Sequence, residues 1–243
     1  MRHYRGSGFL VRIEAARYAA LVPRPAFIPP CLPSLRERLP KGNGWLYEVK
    51  FDGYRMQAHK AEERITLYTR NGADWTERFP RIAAAITSLP CPSAIIDAEL
   101  VHEDGFEALH LAAHKRTEDG LVLWAFDLLQ LNGNDLRAVA LADRKRRLGH
   151  LIERAGITRL RHSDAFEDGE RLLAECDKRG LYGVVAKHKN GIYRSGQSTG
   201  WIKVTCPAWR EANRNRGELF AAAPSKCAPR VQKFSPRSPP SSD

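Results

Sequence analysis

From Trp45 onward, short strand-like runs alternate with amphipathic helical runs, and this alternation limits the possible folds more than anything else in the chain. The strand-like runs are rich in β-branched and aromatic residues and are bounded by Gly, Pro or Asp. They read RITLYT (64–69), SAIIDAELV (93–101), LVLWAFDLL (121–129) and YGVVAKH (182–188). Apolar residues at helical spacing occur in TERFPRIAAAITSL (76–89), LADRKRRLGHLIERAG (141–156) and EDGERLLAECDKRG (167–180). The pattern predicts an α+β domain with antiparallel sheets flanked by helices.

Local signals predict where several of these elements begin and end. Pro80 is placed to start the first helix, and Gly156 and Gly180 are suited to end the other two. Asp52-Gly53 is a strong turn dipeptide inside WLYEVKFDGYRMQAHK (45–60). We therefore predict a hairpin bend at this dipeptide, with Lys50 close to it.

The two ends of the chain differ in composition from its middle. Residues 1–26 are predicted to be a basic N-terminal extension, and the proline cluster VPRPAFIPPCLP (22–33) is expected to be an extended arm rather than core. Residues 221–243 are basic, rich in Pro and Ser, and poor in apolar residues, so we predict a disordered tail. The ordered domain is expected to span residues 27–220.

Charge and cysteine content narrow the classes of function. The chain has 39 Lys and Arg against 28 Asp and Glu, a formal net charge of +11, which favours a polyanionic partner such as nucleic acid. Its five cysteines are widely spaced and form no C-x-x-C pair, which argues against a disulfide scaffold and a zinc ribbon and for a reducing compartment. No run approaches the ~18 apolar residues of a membrane span. We expect no membrane partner.

The stretch EVKFDGYR (48–55) places a lysine in an apolar run with a carboxylate two residues before it and another two after. It matches the signature K-x-D-G-x-R, and here the chain resembles the nucleotidyltransferase domain of ATP-dependent DNA ligases. Segments similar to that family's further motifs follow in the same order. They are YTRNGADWTERFP (68–80), IIDAELV (95–101), AFDLLQLNG (125–133), GVVAKHKNGIYRSG (183–196) and WIKV (201–204). The resemblance covers roughly residues 27–205 and is closest to bacterial ligases of the ligase D type.

The resemblance implies an ATP-grasp-like nucleotidyltransferase fold, with too few residues after Val204 for an OB-fold domain. In the family, the motif lysine attacks the α-phosphate of ATP and forms a lysine–AMP phosphoramidate. Lys50 holds that position here. An ordinary lysine has a pKa of about 10.4, so attack requires nearby positive charge to lower that pKa. Mg²⁺ or Mn²⁺, together with Lys187 and Lys203, is expected to supply this charge and to stabilise the transition state.

The same resemblance implies roles for the remaining site residues. Glu48 would lie at the adenine end and Phe126 would stack on the base. Arg55 and Arg70 would contact ribose or phosphate. Glu99 would bind ribose or the metal, and Asp52 would help to organise the metal and the leaving group. The nucleotide-binding residues implied are Glu48, Arg55, Arg70, Glu99, Phe126, Lys187 and Lys203. Without the other motifs, the residues alone favour Phe126 as a core residue, and Arg70 with Glu99 could be an ordinary ion pair.

A simpler interpretation of Asp97 is that it caps a turn and has no role in the site. The segment PAWREANRNRGELF (207–220) is predicted to be a short basic helix. Its arginines are available to phosphates, or the helix is solvated and only closes the domain.

Four positions depart from the family's pattern, and three of them fall late in the motif series. The family usually has glycine, glutamate, a basic residue and lysine where this chain has Ala98, Tyr182, Gln197 and Thr205 respectively. The missing glutamate is expected to help hold a metal, and the missing lysine to contact phosphate. Their loss is expected to slow phosphoryl chemistry and to leave the fold unchanged.

Three functions follow as hypotheses. The first is an ATP-dependent DNA ligase adenylation domain that seals nicks in duplex DNA during repair or recombination, with end-joining or repair proteins as partners, in the bacterial cytoplasm at the nucleoid. It would hold nicked DNA through the backbone. The second is a degenerate copy that binds nucleotide or DNA ends without sealing. The third is an RNA ligase or capping-type nucleotidyltransferase, which the segments YTRNG, AFDLL and WIKV disfavour.

Overall fold

The computed structural model describes residues 26–214. Except for Ala26, the predicted N-terminal extension and the predicted tail lie outside the described residues, as do residues 215–220 of the predicted domain. The strands are β1 (Cys31–Leu35), β2 (Trp45–Lys50), β3 (Tyr54–Ala61), β4 (Arg64–Thr69), β5 (Ser93–His102), β6 (Leu121–Leu131), β7 (Asn134–Asp135), β8 (Leu160–His162), β9 (Gly183–His188) and β10 (Gly196–Thr205). The helices are α1 (Pro80–Thr87), α2 (Phe106–Lys115), α3 (Leu141–Ala155), α4 (Gly169–Lys178) and α5 (Pro207–Ala212).

The strands form two sheets. The first has the order β1-β10-β9-β2, and the second has the order β4-β3-β5-β6-β7, with β8 also paired to β6. Neighbouring strands are antiparallel except for two parallel pairs, β1 with β10 and β6 with β8. The predicted α+β class with mainly antiparallel sheets is confirmed. Neither sheet within residues 26–214 is an OB-fold barrel.

One lobe of the fold is inserted into the other. Every strand of the second sheet lies in the chain between β2 and β9, so the first sheet is built from an early and a late part of the sequence. Helices α1, α2 and α3 pack on the second sheet, and α4 packs on β2 and β9 of the first. A small cluster joins the two lobes. It contains Cys31, Ile95, Phe126, Leu129, Tyr193 and Trp201.

The helix boundaries follow the sequence signals. Pro80 is the first residue of α1. Gly156 ends α3 in the left-handed conformation, with φ of 60°, and its N–H donates to the carbonyl of Ile152. Gly180 lies just beyond the end of α4, also at positive φ. In the part of the chain that the structure describes, no helix is long and apolar enough to cross a bilayer.

The predicted hairpin at Asp52-Gly53 is wrong. β2 pairs with β9, whereas β3 pairs with β4 and β5, so the dipeptide carries the chain from the first sheet to the second. Neither residue has the positive φ that a type I′ turn requires. Glycine is needed at position 53 for another reason, because a β-carbon there would overlap the carbonyl oxygen of Leu100.

The extended arm predicted for residues 22–33 also needs correction at its end. Cys31 begins β1 and is only 1% exposed, so from this residue the chain belongs to the sheet and its core. β1 is the edge strand beside β10, and its pairing register shifts between Pro33 and Ser34. An edge position tolerates proline because one side of the strand needs no hydrogen-bonded partner.

Candidate functional site

A cleft of about 700 Å³ lies between the two sheets. All of the residues that the sequence predicts for the site line this cleft. They are Glu48, Lys50, Asp52, Arg55, Arg70, Glu99, Phe126, Lys187 and Lys203. The structure therefore brings together side chains from both lobes that are up to 155 positions apart in the chain, as counted from Glu48 to Lys203.

Strand geometry explains why these side chains meet. Glu48 and Lys50 are two residues apart on β2 and therefore share a face of the sheet. Lys187 on β9 and Lys203 on β10 add two cations from the same sheet. On the second sheet, β3 and β5 place Arg55 directly opposite Glu99.

Lys50 lies at the end of β2 with its amine towards the cleft. Its Nζ donates to the carbonyl oxygen of Phe51 at 2.6 Å and lies 3.9 Å from Glu99 Oε1. The same nitrogen is 4.9 Å from the centroid of the Tyr182 ring. The side chain keeps 23% of its surface exposed, so a ligand in the cleft can reach the amine.

Glu48 is held by two lysines deep in the cleft. Its Oε1 lies 2.9 Å from Lys187 Nζ and 3.1 Å from Lys145 Nζ, and Ser163 Oγ donates to Oε2 at 3.1 Å. Burial raises the pKa of Glu48, but the two ammonium groups outweigh burial and the net pKa is lowered. Glu48 is therefore a fixed carboxylate.

Lys187 lies over an aromatic floor. Its Nζ is 4.2 Å from the centroid of the Trp201 ring and 4.5 Å from that of Phe126. Burial lowers the pKa of Lys187 and Lys145 lowers it further, whereas Glu48 raises it. Phe126 is a buried core residue that also lines the cleft, and its stacking on a base stays a prediction.

Arg55 forms a buried ion pair with Asp97. The guanidinium donates from Nε to Oδ1 at 2.8 Å and from Nη2 to Oδ2 at 2.7 Å, and its Nη1 donates to the Cys31 carbonyl. Tyr193 donates its hydroxyl to Asp97 Oδ2 at 2.6 Å. Burial raises the pKa of Tyr193, so the hydroxyl remains a donor. Asp97 is thus not a turn cap but the partner that orients Arg55.

The remaining charges cluster near Lys50. The pKa of Lys203 is lowered by burial and by the positive charges of Lys50 and Arg70. The pKa of Glu99 is raised by burial, although Lys50 and Arg55 act to lower it. The ion pair between Arg70 and Glu99 that the sequence left open is not formed, since the described ion pair of Glu99 is with Lys50.

The cleft contains carboxylates that could bind a divalent metal. Among residues 26–214, no group of three or more His, Cys, Asp or Glu side chains is arranged to hold a metal ion. Asp52 and Glu99 both line the cleft near Lys50. Mg²⁺ commonly binds through one or two carboxylates together with substrate phosphates. The donor set therefore fits a metal that enters with a triphosphate.

The departures from the family's pattern lie in different surroundings. Ala98 is fully buried in the extended strand β5, where alanine fits without strain. Tyr182 and Gln197 line the cleft, and Gln197 donates to Ser34 Oγ at 3.1 Å. Thr205 faces Gly183 across the sheet and is not among the residues that line the cleft.

Two features of the site were missed in the sequence. Lys145 on α3 forms an ion pair with Glu48. Lys145 and its neighbour Arg144 are buried, and both occupy positions that helical spacing assigns to the apolar face of α3. That pattern was a readable signal. Trp209 on α5 donates its indole N–H to Asp52 Oδ2 at 3.2 Å. No local signal in the sequence points to this second contact.

Comparison with known proteins agrees with this geometry. Residues 30–205 match the family model of the ATP dependent DNA ligase domain. The multifunctional non-homologous end joining protein LigD of Pseudomonas aeruginosa is 40% identical over 195 residues, which cover 78% of this chain and 23% of that protein. A probable DNA ligase of Mycobacterium sp. (strain KMS) is 32% identical over 173 residues, which cover 67% of this chain and 33% of that protein. The chain thus spans a quarter to a third of the length of these relatives.

Solved structures show the same fold. The ligase domain of LigD from M. tuberculosis superimposes with a TM-score of 0.61 at 26% identity, covering 72% of this chain and 60% of that one. A mycobacterial DNA ligase D complexed with ATP and MES gives a TM-score of 0.57 at 27% identity, with the same coverage. With the family model matching most of the chain, and with the lysine, acidic and basic residues of its motifs gathered in one cleft, this chain belongs to the ATP-dependent DNA ligase family.

Proposed function

We propose that this chain is a DNA ligase adenylation domain, which transfers AMP from ATP to Lys50 and then to the 5′-phosphate of a nick. The observation that carries the proposal is the position of Lys50. Its amine is reachable from a cleft of nucleotide size, lies beside Glu99, and is near Lys203 and Arg70. The domain would span residues 27–220, between a basic N-terminal extension and a basic tail rich in Pro and Ser.

The first step joins Lys50 to the nucleotide. After loss of a proton, Nζ attacks the α-phosphorus of ATP, so that an N–P bond forms and the P–O bond to pyrophosphate breaks. Lys187, Lys203 and Arg70 place positive charge around the cleft, where it would oppose the charge that develops on the phosphoryl oxygens. Glu48, Arg55 and Phe126 would hold the adenosine part.

A divalent metal, Mg²⁺ or Mn²⁺, would supply charge neutralisation at the phosphates when bound. Asp52 and Glu99 are the residues that would hold it. The protein's own contribution at this end of the cleft is to place Glu99 3.9 Å from the Lys50 amine and to line the same cleft with Asp52.

The later steps act on DNA. AMP would pass from Lys50 to the 5′-phosphate at a nick, and attack by the neighbouring 3′-hydroxyl would release AMP and seal the strand. The excess of positive charge supports a nicked duplex held through its phosphates. The name of the LigD relative supports a role in end joining. Repair proteins as partners and a location in the cytoplasm at the nucleoid belong to the same proposal.

The test is transfer of label from α-³²P-ATP to the protein with Mg²⁺ or Mn²⁺, followed by denaturing electrophoresis. Wild type and Lys41→Ala, which changes an exposed lysine outside the cleft, should give a labelled band, and Lys50→Ala should give none. Absence of a band from folded wild type with either metal would overturn the proposal. Label from GTP in preference to ATP, or sealing of RNA rather than DNA, would favour an RNA ligase or capping-type enzyme.

A second function, binding of nucleotide or DNA ends without sealing, is favoured by one observation. Tyr182 lines the cleft beside Lys50 where the family's pattern has a metal-holding glutamate. ATP binding that is retained without any lysine–AMP would select this function.

A further inference from the structure

The short helix α5 lies against the Lys50 end of the cleft. The N–H of Cys206 donates to the carbonyl of Tyr182 at 3.0 Å, and the N–H of Ala208 donates to Asp177 Oδ1 at 2.8 Å. These bonds attach the start of α5 to the residue that precedes β9 and to the helix α4. The helix is therefore fixed to the body of the domain, although none of its residues is buried.

Trp209 on this helix connects two residues of the cleft. Its indole N–H donates to Asp52 Oδ2, and its ring lies against the Tyr182 ring with centroids 4.2 Å apart. The Lys50 Nζ is in turn 4.9 Å from the centroid of the Tyr182 ring. Lys50 and Asp52 are thus linked twice, through the backbone that joins them and through the aromatic pair.

The chemistry of the pair suits positioning rather than coordination. An indole N–H that donates to a carboxylate oxygen restricts the rotation of that carboxylate. An aromatic face attracts an ammonium group without the full negative charge of a carboxylate. Tyr182 therefore holds the Lys50 amine without adding a competing anion.

We infer that Tyr182 and Trp209 are positioning residues for adenylyl transfer, with Trp209 orienting the Asp52 carboxylate and Tyr182 supporting the Lys50 amine. The inference rests on the proposed function. It assigns a role to Tyr182, which stands where the family's pattern has glutamate, because the Tyr182 ring contacts both Trp209 and the Lys50 amine.

The kinetic test compares variants that separate the ring from the donor. Trp209→Phe keeps an aromatic ring and removes the N–H, so the single-turnover rate of lysine–AMP formation should fall about tenfold, and more metal should be needed for half-maximal rate. Tyr182→Phe should keep most of the rate because it keeps the aromatic ring. Tyr182→Leu removes the ring and should lose most of the rate. Trp45→Phe changes a tryptophan outside the cleft and should match wild type.

The spectroscopic test needs no catalysis. The chain has five tryptophans, so ¹⁵N labelling gives five indole N–H resonances, and the one missing in Trp209→Phe belongs to Trp209. Asp52→Asn should move that resonance towards the position of an indole bonded to a neutral acceptor and leave the Trp45 resonance unchanged. A Trp209 resonance that ignores Asp52→Asn would overturn the contact.

The outcomes distinguish this inference from the proposed function. If wild type forms lysine–AMP while Trp209→Phe shows the same rate and the same metal dependence, the inference is wrong and the proposed function stands. If folded wild type forms no lysine–AMP, both are wrong. Loss of rate in Trp209→Phe together with an unchanged melting temperature would support the inference.

Discussion

Asp97 on β5 receives two hydrogen bonds from Arg55 on β3, and the pair is buried beneath the cleft with Tyr193 as a third member. Because two guanidinium nitrogens donate to the two different oxygens of one carboxylate, the Arg55 side chain has one orientation. One edge of the guanidinium is bound to Asp97, and the group lies 4.9 Å from the centroid of the Phe126 ring. The floor of the site is thus fixed before any ligand binds.

Removing the charge of Asp97 should destabilise the protein strongly. Asp97→Asn leaves the Arg55 charge buried and unpaired, which typically costs about 3–5 kcal/mol in the free energy of unfolding. Asp135→Asn is the matched control, since Asp135 forms an exposed pair with Arg137 and should cost under about 1 kcal/mol. Urea denaturation of both variants measures the difference. Similar losses in the two variants would contradict a special role for the buried pair.

The ion pairs of Glu48 with Lys145 and Lys187 should make the stability of the fold depend on pH. Because the pKa of Glu48 in the folded state lies below its usual value of 4.5, its contribution is fully present above that pH and is lost as the pH falls through the lowered pKa. Glu48→Gln should therefore be much less stable than wild type at pH 7, and the difference should shrink on acidification. Urea midpoints measured from pH 7 to pH 3 follow this difference.

The exposed Glu175 serves as the control for this pH dependence. Its pKa is also lowered, by a hydrogen bond from Arg179, but water screens the interaction. Glu175→Gln should track the wild-type curve at every pH. If the difference in urea midpoint between wild type and Glu48→Gln were constant with pH, the charge of Glu48 would not be what stabilises this group of residues.

Gly53→Ala should disrupt the segment that carries Lys50 and Asp52. The added methyl group would overlap the Leu100 carbonyl, which is backbone and cannot move aside as a side chain can. We expect a lower melting temperature and loss of lysine–AMP formation. Gly149→Ala in α3 is the control, because the nearest atoms, in His162, are 3.9 Å away and a helical site gains about 1 kcal/mol from alanine. Wild-type behaviour of Gly53→Ala would show that the segment can shift without cost.

Binding to nicked duplex DNA should depend on salt and not on sequence. Contacts to phosphates release counterions, so the logarithm of the binding constant should fall linearly with the logarithm of the salt concentration. Fluorescence anisotropy with two nicked duplexes of unrelated sequence measures both dependences. A binding constant that changes between the sequences, or that ignores salt, would contradict binding through the backbone.

The residues of the cleft were predictable because the motifs carry them in a recognisable order. The helices α1 and α3 were also predictable from the helical spacing of their apolar residues. Pro80 marks the start of α1, and Gly156 marks the end of α3. The partition into two sheets was not. A turn dipeptide such as Asp52-Gly53 describes a local bend, whereas the choice of strand partners depends on residues far away in the chain.

The supporting contacts of the site were harder to predict than the site itself. Lys145 reads as one more solvated charge in RKRR, and only its position on the apolar face of α3 marks it as buried. The contact of Trp209 with Asp52 joins residues 157 positions apart, and the sequence holds no pairing signal for them. Packing between lobes decides such contacts, and local propensity does not.

The insertion of one lobe into the other sets an order of events during synthesis. β2, which carries Glu48 and Lys50, has β9 as its neighbouring strand, and β9 leaves the ribosome after the whole second lobe. The second lobe can form its sheet while β2 still lacks its neighbour. The surroundings of Lys50 are therefore completed only after β9 and β10 have been made, so a nascent chain that lacks these strands has no assembled cleft in which to consume ATP.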